Sequence, residues 1–162
     1  MSTYTKVPRS QIATFIDTTP NSTATYSRLG FGITSYGISY NPQTEQSQWI
    51  IDDNATTSVT GNQKSGDVEQ RIYKGEPCFE YVNGLRDKNG SALDTTAIDV
   101  DMWDANGSTY KAKKQSVTIV PTSYGGDANP TIGYTIYYNG DPIEGTVTIS
   151  DGVPTFSPSV SL

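Results

Sequence analysis

Histidine is absent from this 162-residue sequence, and cysteine occurs once, as Cys78. Without histidine the chain can build neither a Ser-His-Asp triad nor a Cys-His pair, and it lacks the commonest metal ligand of proteins. A single cysteine can form no disulfide within the chain and no CxxC metal site. These two shortages exclude the histidine-dependent hydrolases and the cysteine-rich zinc folds.

Positive charge and long hydrophobic runs are scarce as well. Eleven Lys and Arg residues stand against 17 Asp and Glu, which leaves a net charge of −6. A protein that binds nucleic acid through its phosphates needs the opposite balance. The apolar runs are a few residues long, too short to span a membrane, and the first residues lack the apolar stretch of a signal peptide. We therefore expect a protein without membrane contact that is made and folded in the cytoplasm.

Aromatic residues are plentiful by contrast. The chain contains 11 Tyr, 2 Trp and 4 Phe, although only 34% of its residues are hydrophobic. This apolar area is sufficient for a packed core, and the length is usual for one domain. The sequence has no internal repeat, so we predict a single domain over residues 1–162.

Alternation of apolar and polar residues predicts a mostly-β fold. Residues 33–51 have the period of a half-buried strand that Asn41-Pro42 interrupts, and from residue 96 onwards the pattern is strand and turn. Asn139-Gly140 and Asp151-Gly152 predict tight hairpin turns. The consecutive Tyr137 and Tyr138 must point to opposite faces, so one of them faces outward unless both faces are covered. The apolar strand positions are Ile98, Val100, Met102, Val117, Ile119, Ile132, Tyr134, Ile136, Tyr138, Ile143, Val147 and Ile149.

Three segments fall outside this pattern. Residues 1–30 predict an N-terminal arm with at most one helical turn, docked on its own domain or on a neighbour. Residues 52–70 carry almost no large apolar side chain and predict a long polar loop, ordered only in an assembly. Residues 76–89 predict the one helix, with Pro77 at its first position and Leu85 on its buried face. The predicted architecture is a β-sandwich or barrel with one flanking α-helix and a long polar loop.

One acidic stretch invites a calcium interpretation. Asp99, Asp101 and Asp104 precede Asn106-Gly107, but the pattern lacks the ligands and the glycine that an EF-hand loop needs at its fifth, sixth and twelfth positions. A simpler interpretation places Asp99 and Asp101 on the solvent side of a strand and Asp104–Gly107 in its turn. An irregular calcium site stays open as an alternative.

The remaining candidates carry even less chemistry. Asp52-Asp53 with Glu144 could form a glycosidase pair only if folding brought the carboxyls to about 5–10 Å. Gly125-Gly126-Asp127 is a turn without the lysine of a phosphate loop, and Cys78 is a small core residue. The lysines at 111, 113 and 114 predict an exposed strand edge rather than a binding patch. We assign no catalytic, cofactor-binding or metal residue, and we expect that the chain is not an enzyme.

Three stretches carry a resemblance to a known family. They are Ser35–Glu45 with its "YNP", Trp49–Asp52 with the Thr/Ser/Gly run that follows, and Tyr73–Arg86 with its Gly-Glu-Pro helix start; the opening Tyr-Thr-Lys-Val-Pro-Arg-Ser adds to them. Together they resemble the major tail tube proteins of siphophages and prophages of Gram-positive bacteria. The resemblance covers roughly residues 3–105.

The resemblance implies a structural virion protein. Six subunits close into a ring, rings stack into a tail tube around a tape measure protein, and the long loop and the arm bridge the rings. The other implied partners are tail terminator and distal tail proteins, and DNA passes through the lumen without specific binding. We expect a channel face that is neutral or acidic, with the three lysines elsewhere. The alternatives are a non-catalytic β-sandwich binding module of carbohydrate or adhesin type, and a histidine-free hydrolase.

Overall fold

Residues 2–159, which the computed structural model describes, contain nine strands, one α-helix and two 3-10 turns. The strands are β1 (Ile12–Asp17), β2 (Tyr26–Arg28), β3 (Pro42–Ser47), β4 (Thr56–Asn62), β5 (Ser65–Arg71), β6 (Asp94–Asn106), β7 (Thr109–Gly125), β8 (Thr131–Ser150) and β9 (Val153–Pro158). The helix α1 spans Pro77–Asn83, and the 3-10 turns span Arg9–Gln11 and Gly90–Leu93. No helix in this part of the chain is long and apolar enough to cross a bilayer.

Seven strands form one antiparallel sheet in the order β2-β1-β6-β7-β8-β5, with β9 also paired to β8. The 20-residue β8 pairs with β5 along its first half and with β9 along its second half. The chain after β2 runs along the free edge of β5, where Ser39 and Ser65 exchange backbone hydrogen bonds of 2.8 and 2.9 Å. The sheet is therefore barrel-like and nearly closed, and the predicted mostly-β class with a flanking helix is confirmed.

The two faces of the sheet each carry a core. On one face α1 contributes Cys78, Phe79 and Val82 to a cluster that includes Ile16 and Ile136. On the other face Phe15, Ile98 and Val147 pack together, with Phe156 of β9 against them. Because both faces are covered, β1 is buried without interruption from Ala13 to Asp17.

The burial of β1 contradicts the predicted arm over residues 1–30. β1 lies inside the sheet between β2 and β6, and β2 lies within the same segment. This segment shows no alternation of apolar and polar residues, because neighbouring side chains both enter a core. Of the predicted arm, residues 2–11 remain as an extended, mainly exposed segment with one 3-10 turn.

The helix starts as predicted and ends earlier. The Glu76 side chain caps it by accepting a hydrogen bond of 2.6 Å from the Phe79 amide, and Pro77 occupies the first helical position. The predicted end at residue 89 is wrong, because Asp87 has a φ of 64° that an α-helix cannot contain. Leu85 is buried as expected, although it follows the last helical residue.

Three predictions for residues 33–51 are also wrong. Residues 33–41 form only isolated bridges to β5, at Ile33 and Ser39, instead of a regular strand. Pro42 was expected to interrupt the strand, yet it is the first residue of β3, a position where a missing N–H is tolerated. Residues 48–51 do not resume a strand and lie in the connection between β3 and β4.

Asn139-Gly140 does not turn the chain, which continues in β8. The register shifts here: Lys114 of β7 pairs with Ile143 and Ser116 pairs with Asn139, so β8 bulges opposite Gln115. Gly140 has a φ of 68°, and its carbonyl accepts a hydrogen bond of 2.7 Å from the Gln115 side chain. A glycine with positive φ occurs in β-bulges as well as in hairpin turns. The Asp151-Gly152 turn between β8 and β9 is confirmed.

Candidate functional site: an exposed hairpin and the cleft at its root

A two-stranded hairpin leaves the main sheet between residues 41 and 63. β3 and β4 pair only with each other, from Pro42–Asn62 at the root to Ser47–Thr56 near the tip. Every residue of both strands is exposed. The Asn41 side chain ties the root together by donating to the Gln63 carbonyl at 3.0 Å. Isolated two-stranded hairpins are marginally stable in water, so a hairpin of this kind gains from contact with another surface.

The tip of the hairpin presents large apolar side chains to solvent. Trp49 is 66% exposed, and Ile50 and Ile51 are 104% and 87% exposed. Asp52 and Asp53 follow at once, and the Asp52 amide donates to the Trp49 carbonyl at 3.0 Å to form a turn. We call residues 49–53 the hairpin tip. Three consecutive exposed apolar residues with a polar rim are typical of a protein interaction surface.

The segment predicted as a polar loop, 52–70, thus contains two strands. Its first part contains β4, the second strand of the hairpin. Its second part contains most of β5, in which Gly66, Val68 and Gln70 point inward and are buried. Loop prediction failed because two of these three inward residues are a glycine and a glutamine. For β5, the expectation of order only in an assembly is wrong.

A cleft of about 340 Å³ lies at the root of the hairpin. Its lining includes Arg9, Ile12, Tyr36, Tyr40, Lys64 and Asp99. Tyr36 can lie flat on β5 because Gly66 has no side chain; a Cβ there would be 2.5 Å from the Tyr36 ring. The hydroxyls of Tyr36 and Tyr138 share a hydrogen bond of 2.9 Å, which joins the segment before the hairpin to β8. We call this the root cleft.

Asp99 forms the floor of the root cleft. Its carboxylate accepts hydrogen bonds from the Thr14 hydroxyl at 2.8 Å and from the Tyr138 hydroxyl at 3.3 Å. Burial raises the pKa of Asp99, and the Thr14 hydrogen bond and the Lys64 charge oppose that rise. Burial likewise lowers the pKa of Lys64, against the attraction of Asp99. The prediction that Asp99 faces solvent is therefore wrong.

Two cations at this cleft are satisfied by neutral partners. The Arg9 guanidinium donates to the carbonyls of Ile12 and Tyr36 at 2.6 and 2.9 Å. The Lys64 ammonium donates to the Gln115 side chain at 2.9 Å and lies 4.9 Å from the Tyr138 ring centre. Within residues 2–159 the one ion pair is Lys113–Glu144, at 4.0 Å. Among the residues that the structure describes, neither Arg9 nor Lys64 therefore has a carboxylate within ion-pair distance.

The lysines predicted at a strand edge lie elsewhere. Lys111, Lys113 and Lys114 belong to β7, which is an interior strand between β6 and β8. Lys111 stands opposite Asp101, and Lys113 stands opposite Asp99. The edge prediction is wrong, because β7 is hydrogen-bonded to a neighbouring strand on each side.

The other candidates from the sequence do not assemble into a site. Among the residues described, no group of three or more His, Cys, Asp or Glu side chains could hold a metal ion, so the Asp99–Gly107 stretch is not brought together as a calcium site. Asp52 and Asp53 lie at the hairpin tip, whereas Glu144 of β8 lies beside Lys113 of β7. Gly125 and Gly126 form the expected turn, with φ of 115° and 113°. Cys78 is buried, and burial raises the pKa of its thiol to about 12.

Sequence reasoning missed the residues that make the cleft. Arg9 and Lys64 are single cations in polar stretches, and no pattern distinguishes them from other surface charges. Tyr36 and Tyr138 were expected on strands, but these two residues are 102 positions apart in the sequence, and no pattern predicts that their hydroxyls meet. The prediction that Tyr137 and Tyr138 point to opposite faces is confirmed: Tyr137 is 47% exposed and Tyr138 is 7% exposed.

Comparisons with known proteins give a fold relationship. No family model and no curated protein matches the sequence. The fold is similar to that of a solved chain described as the sheath/tube terminator of an extracellular contractile injection system, PVC, in its extended state. The TM-score is 0.52, the alignment covers 88% of this chain and 99% of that chain, and 12% of the residues are identical. This chain thus shares its fold with a component of a contractile injection system.

Proposed function

We propose that this protein is a structural subunit of a phage-tail-like tube that assembles with copies of itself. The observation that carries the proposal is the exposed hairpin, whose apolar tip has no partner within residues 2–159. The fold shared with a tube-associated protein supports the same assignment. The proposal gives the chain no catalytic role and no cofactor.

In its full form the proposal is a tube of stacked hexameric rings. The tape measure protein would lie within the tube during assembly, terminator and distal tail proteins would bind its ends, and DNA would pass through it. The subunits would assemble in the host cytoplasm and end in the virion tail. A net charge of −6 suits a conduit, because each cation paired with a phosphate would add affinity and slow DNA passage.

The similarity to a sheath/tube terminator favours a second candidate function. In that role the subunit would form a ring that closes the end of a tube instead of stacking into the tube itself. The two candidates predict different products: a terminator stops at one ring, whereas a tube subunit continues to polymers. Both require contact between copies, so both depend on an exposed surface such as the hairpin tip.

Light scattering after gel filtration, over a concentration series, tests the proposal. The wild type should form rings or longer polymers as its concentration rises. Trp49→Ser removes the largest side chain of the tip and should shift the protein towards monomer. Trp103→Ser is the matched control, because Trp103 is 53% exposed and lies outside the hairpin. A wild type that stays monomeric at every concentration would contradict the proposal and favour a binding module.

A further inference from the structure

We propose that the hairpin tip of one copy binds in the root cleft of a second copy. This inference rests on the proposed function, because it names the surface that receives the hairpin during assembly. It assigns roles to two features that lie in one chain but do not contact each other.

A chain cannot fill its own cleft with its own hairpin tip. Tyr40 and Lys64, at the two ends of the hairpin, line the cleft. β3 contains six residues, and at about 3.3 Å per residue the tip lies roughly 20 Å from the root. A hairpin tip that enters this cleft must therefore belong to another molecule, and a second copy of this chain supplies it.

The cleft and the tip match in size and in polarity. The cleft volume of about 340 Å³ is at the lower end of the range for sites that enclose small ligands, which suits one or two side chains. Its wall offers Ile12 and Tyr40, which are 45% and 52% exposed in the free chain. Trp49 and Ile50 would cover this apolar wall and lose their own exposure to water.

Charge supports the same pairing. Asp52 and Asp53 follow the apolar residues of the tip, and both are exposed without an ion-pair partner within residues 2–159. Among the described residues, Arg9 and Lys64 line the cleft without a carboxylate within ion-pair distance, and the acidic residues of the same lining are Asp99 and Asp101. If Trp49 and Ile50 enter the cleft, the two carboxylates that follow them reach its cationic side. Opposite charges placed in this way steer association and fix its register.

The pairing also determines the kind of assembly. The tip and the cleft are different surfaces, so each copy uses one to bind a neighbour and offers the other to the next neighbour. Contacts of this head-to-tail type give a closed ring or an open filament, not a two-fold dimer. The same contact that buries the apolar tip therefore produces a ring or a longer polymer of copies.

Disulfide trapping tests the contact directly. Ile50→Cys and Ile12→Cys chains are mixed and oxidised with copper and dissolved oxygen, which accept the electrons of the two thiols. The native Cys78 gives little background, because it is buried and its thiol has a pKa of about 12. We expect a dimer whose disulfide joins residues 50 and 12, identified by mass spectrometry. Val153→Cys replaces Ile12→Cys in the control; Val153 is 55% exposed, and it should crosslink to position 50 at least 5-fold less.

A charge exchange provides an independent test. Arg9→Glu should weaken self-association at least 10-fold, and mixing that variant with an Asp53→Lys chain should restore association. If the protein assembles but position 50 crosslinks to position 153 as strongly as to position 12, the docking site is wrong while the proposed function stands. If no assembly occurs at any concentration, the docking site and the proposed function both fail.

Discussion

Replacement of Gln70 should destabilise the fold strongly, because this neutral polar side chain is buried and makes three hydrogen bonds. Gln70 is fully buried, and its amide donates to the Phe31 carbonyl at 2.9 Å and to the Glu76 carboxylate at 2.8 Å. Its carbonyl accepts a hydrogen bond of 2.9 Å from the Tyr134 hydroxyl. This side chain therefore joins β5, β8 and the cap of α1.

Gln70→Leu keeps a similar volume and removes all three hydrogen bonds. Each buried partner left without a bond costs about 1–3 kcal/mol, although Glu76 keeps its bond to the Phe79 amide. We expect the free energy of unfolding to fall by about 3 kcal/mol, which for a chain of this length lowers the Tm by about 6–12 °C.

Urea unfolding followed by far-UV circular dichroism measures this loss. Gln46→Leu, on the exposed hairpin strand β3, is the control and should change the free energy by less than about 0.5 kcal/mol. Tyr134→Phe removes the other partner, and the double variant should lose about 1 kcal/mol less than the sum of the two single losses. Equal stability of the Gln70 and Gln46 variants would refute the assigned network.

Three further predictions concern the core, the cleft floor and the bulge. Leu85→Asp places a charge in the core and should lower the free energy of unfolding by about 3 kcal/mol or more, whereas Lys88→Asp on the exposed surface should not. Equal melting temperatures of the two variants would contradict the burial of Leu85. Because the pKa of Asp99 is raised in the folded state, its contribution to stability is present below its unfolded pKa of about 3.9 and is lost as the pH rises. Asp99→Asn should therefore gain stability relative to wild type between pH 3 and pH 7 in urea titrations, and a constant difference would argue against this electrostatic account. Gly140→Ala should lower the free energy of unfolding by about 1 kcal/mol, because Gly140 has a φ of 68°, whereas Gly61→Ala should leave it nearly unchanged. Equal melting temperatures of the two variants would contradict a bulge at Gly140.

Periodic patterns in the sequence predict strands in which large apolar residues alternate with small or polar residues, and they fail where large apolar residues are adjacent. The alternation of Ile132, Tyr134, Ile136 and Tyr138 corresponds to one buried row of β8. β1 shows no such alternation, because Phe15 and Ile16 enter different cores. Its place inside the sheet depends on contacts with β6, which is some 80 residues away in sequence.

Local signals identify a conformation without its context. Pro77 and Glu76 predict the helix start correctly, since a cap depends on adjacent residues. Asn139-Gly140 permits positive φ, and this suits a hairpin turn or a bulge alike. Only the pairing of β8 with β7 on both sides of Gln115 decides between the two.

The candidate site was the least predictable part of the molecule. Trp49 and Ile50 have strand-forming side chains, and their full exposure follows from a hairpin that leaves the sheet. Asp99 was assigned to solvent by alternation with Ile98 and Val100, which are buried in the opposite core. Residues of the segment 36–40 and Lys64 line the same cleft as Asp99, and no sequence pattern links them to β6.

Cryo-electron microscopy of the concentrated wild-type protein tests the central claim most directly. We expect closed rings, single or stacked, in which the hairpin tip of every subunit contacts its neighbour and Trp49 is buried. Stacked rings would favour a tube subunit, and single rings a terminator. Monomers alone at the highest attainable concentration, or rings in which Trp49 remains exposed, would contradict the claim that this hairpin exists for self-assembly.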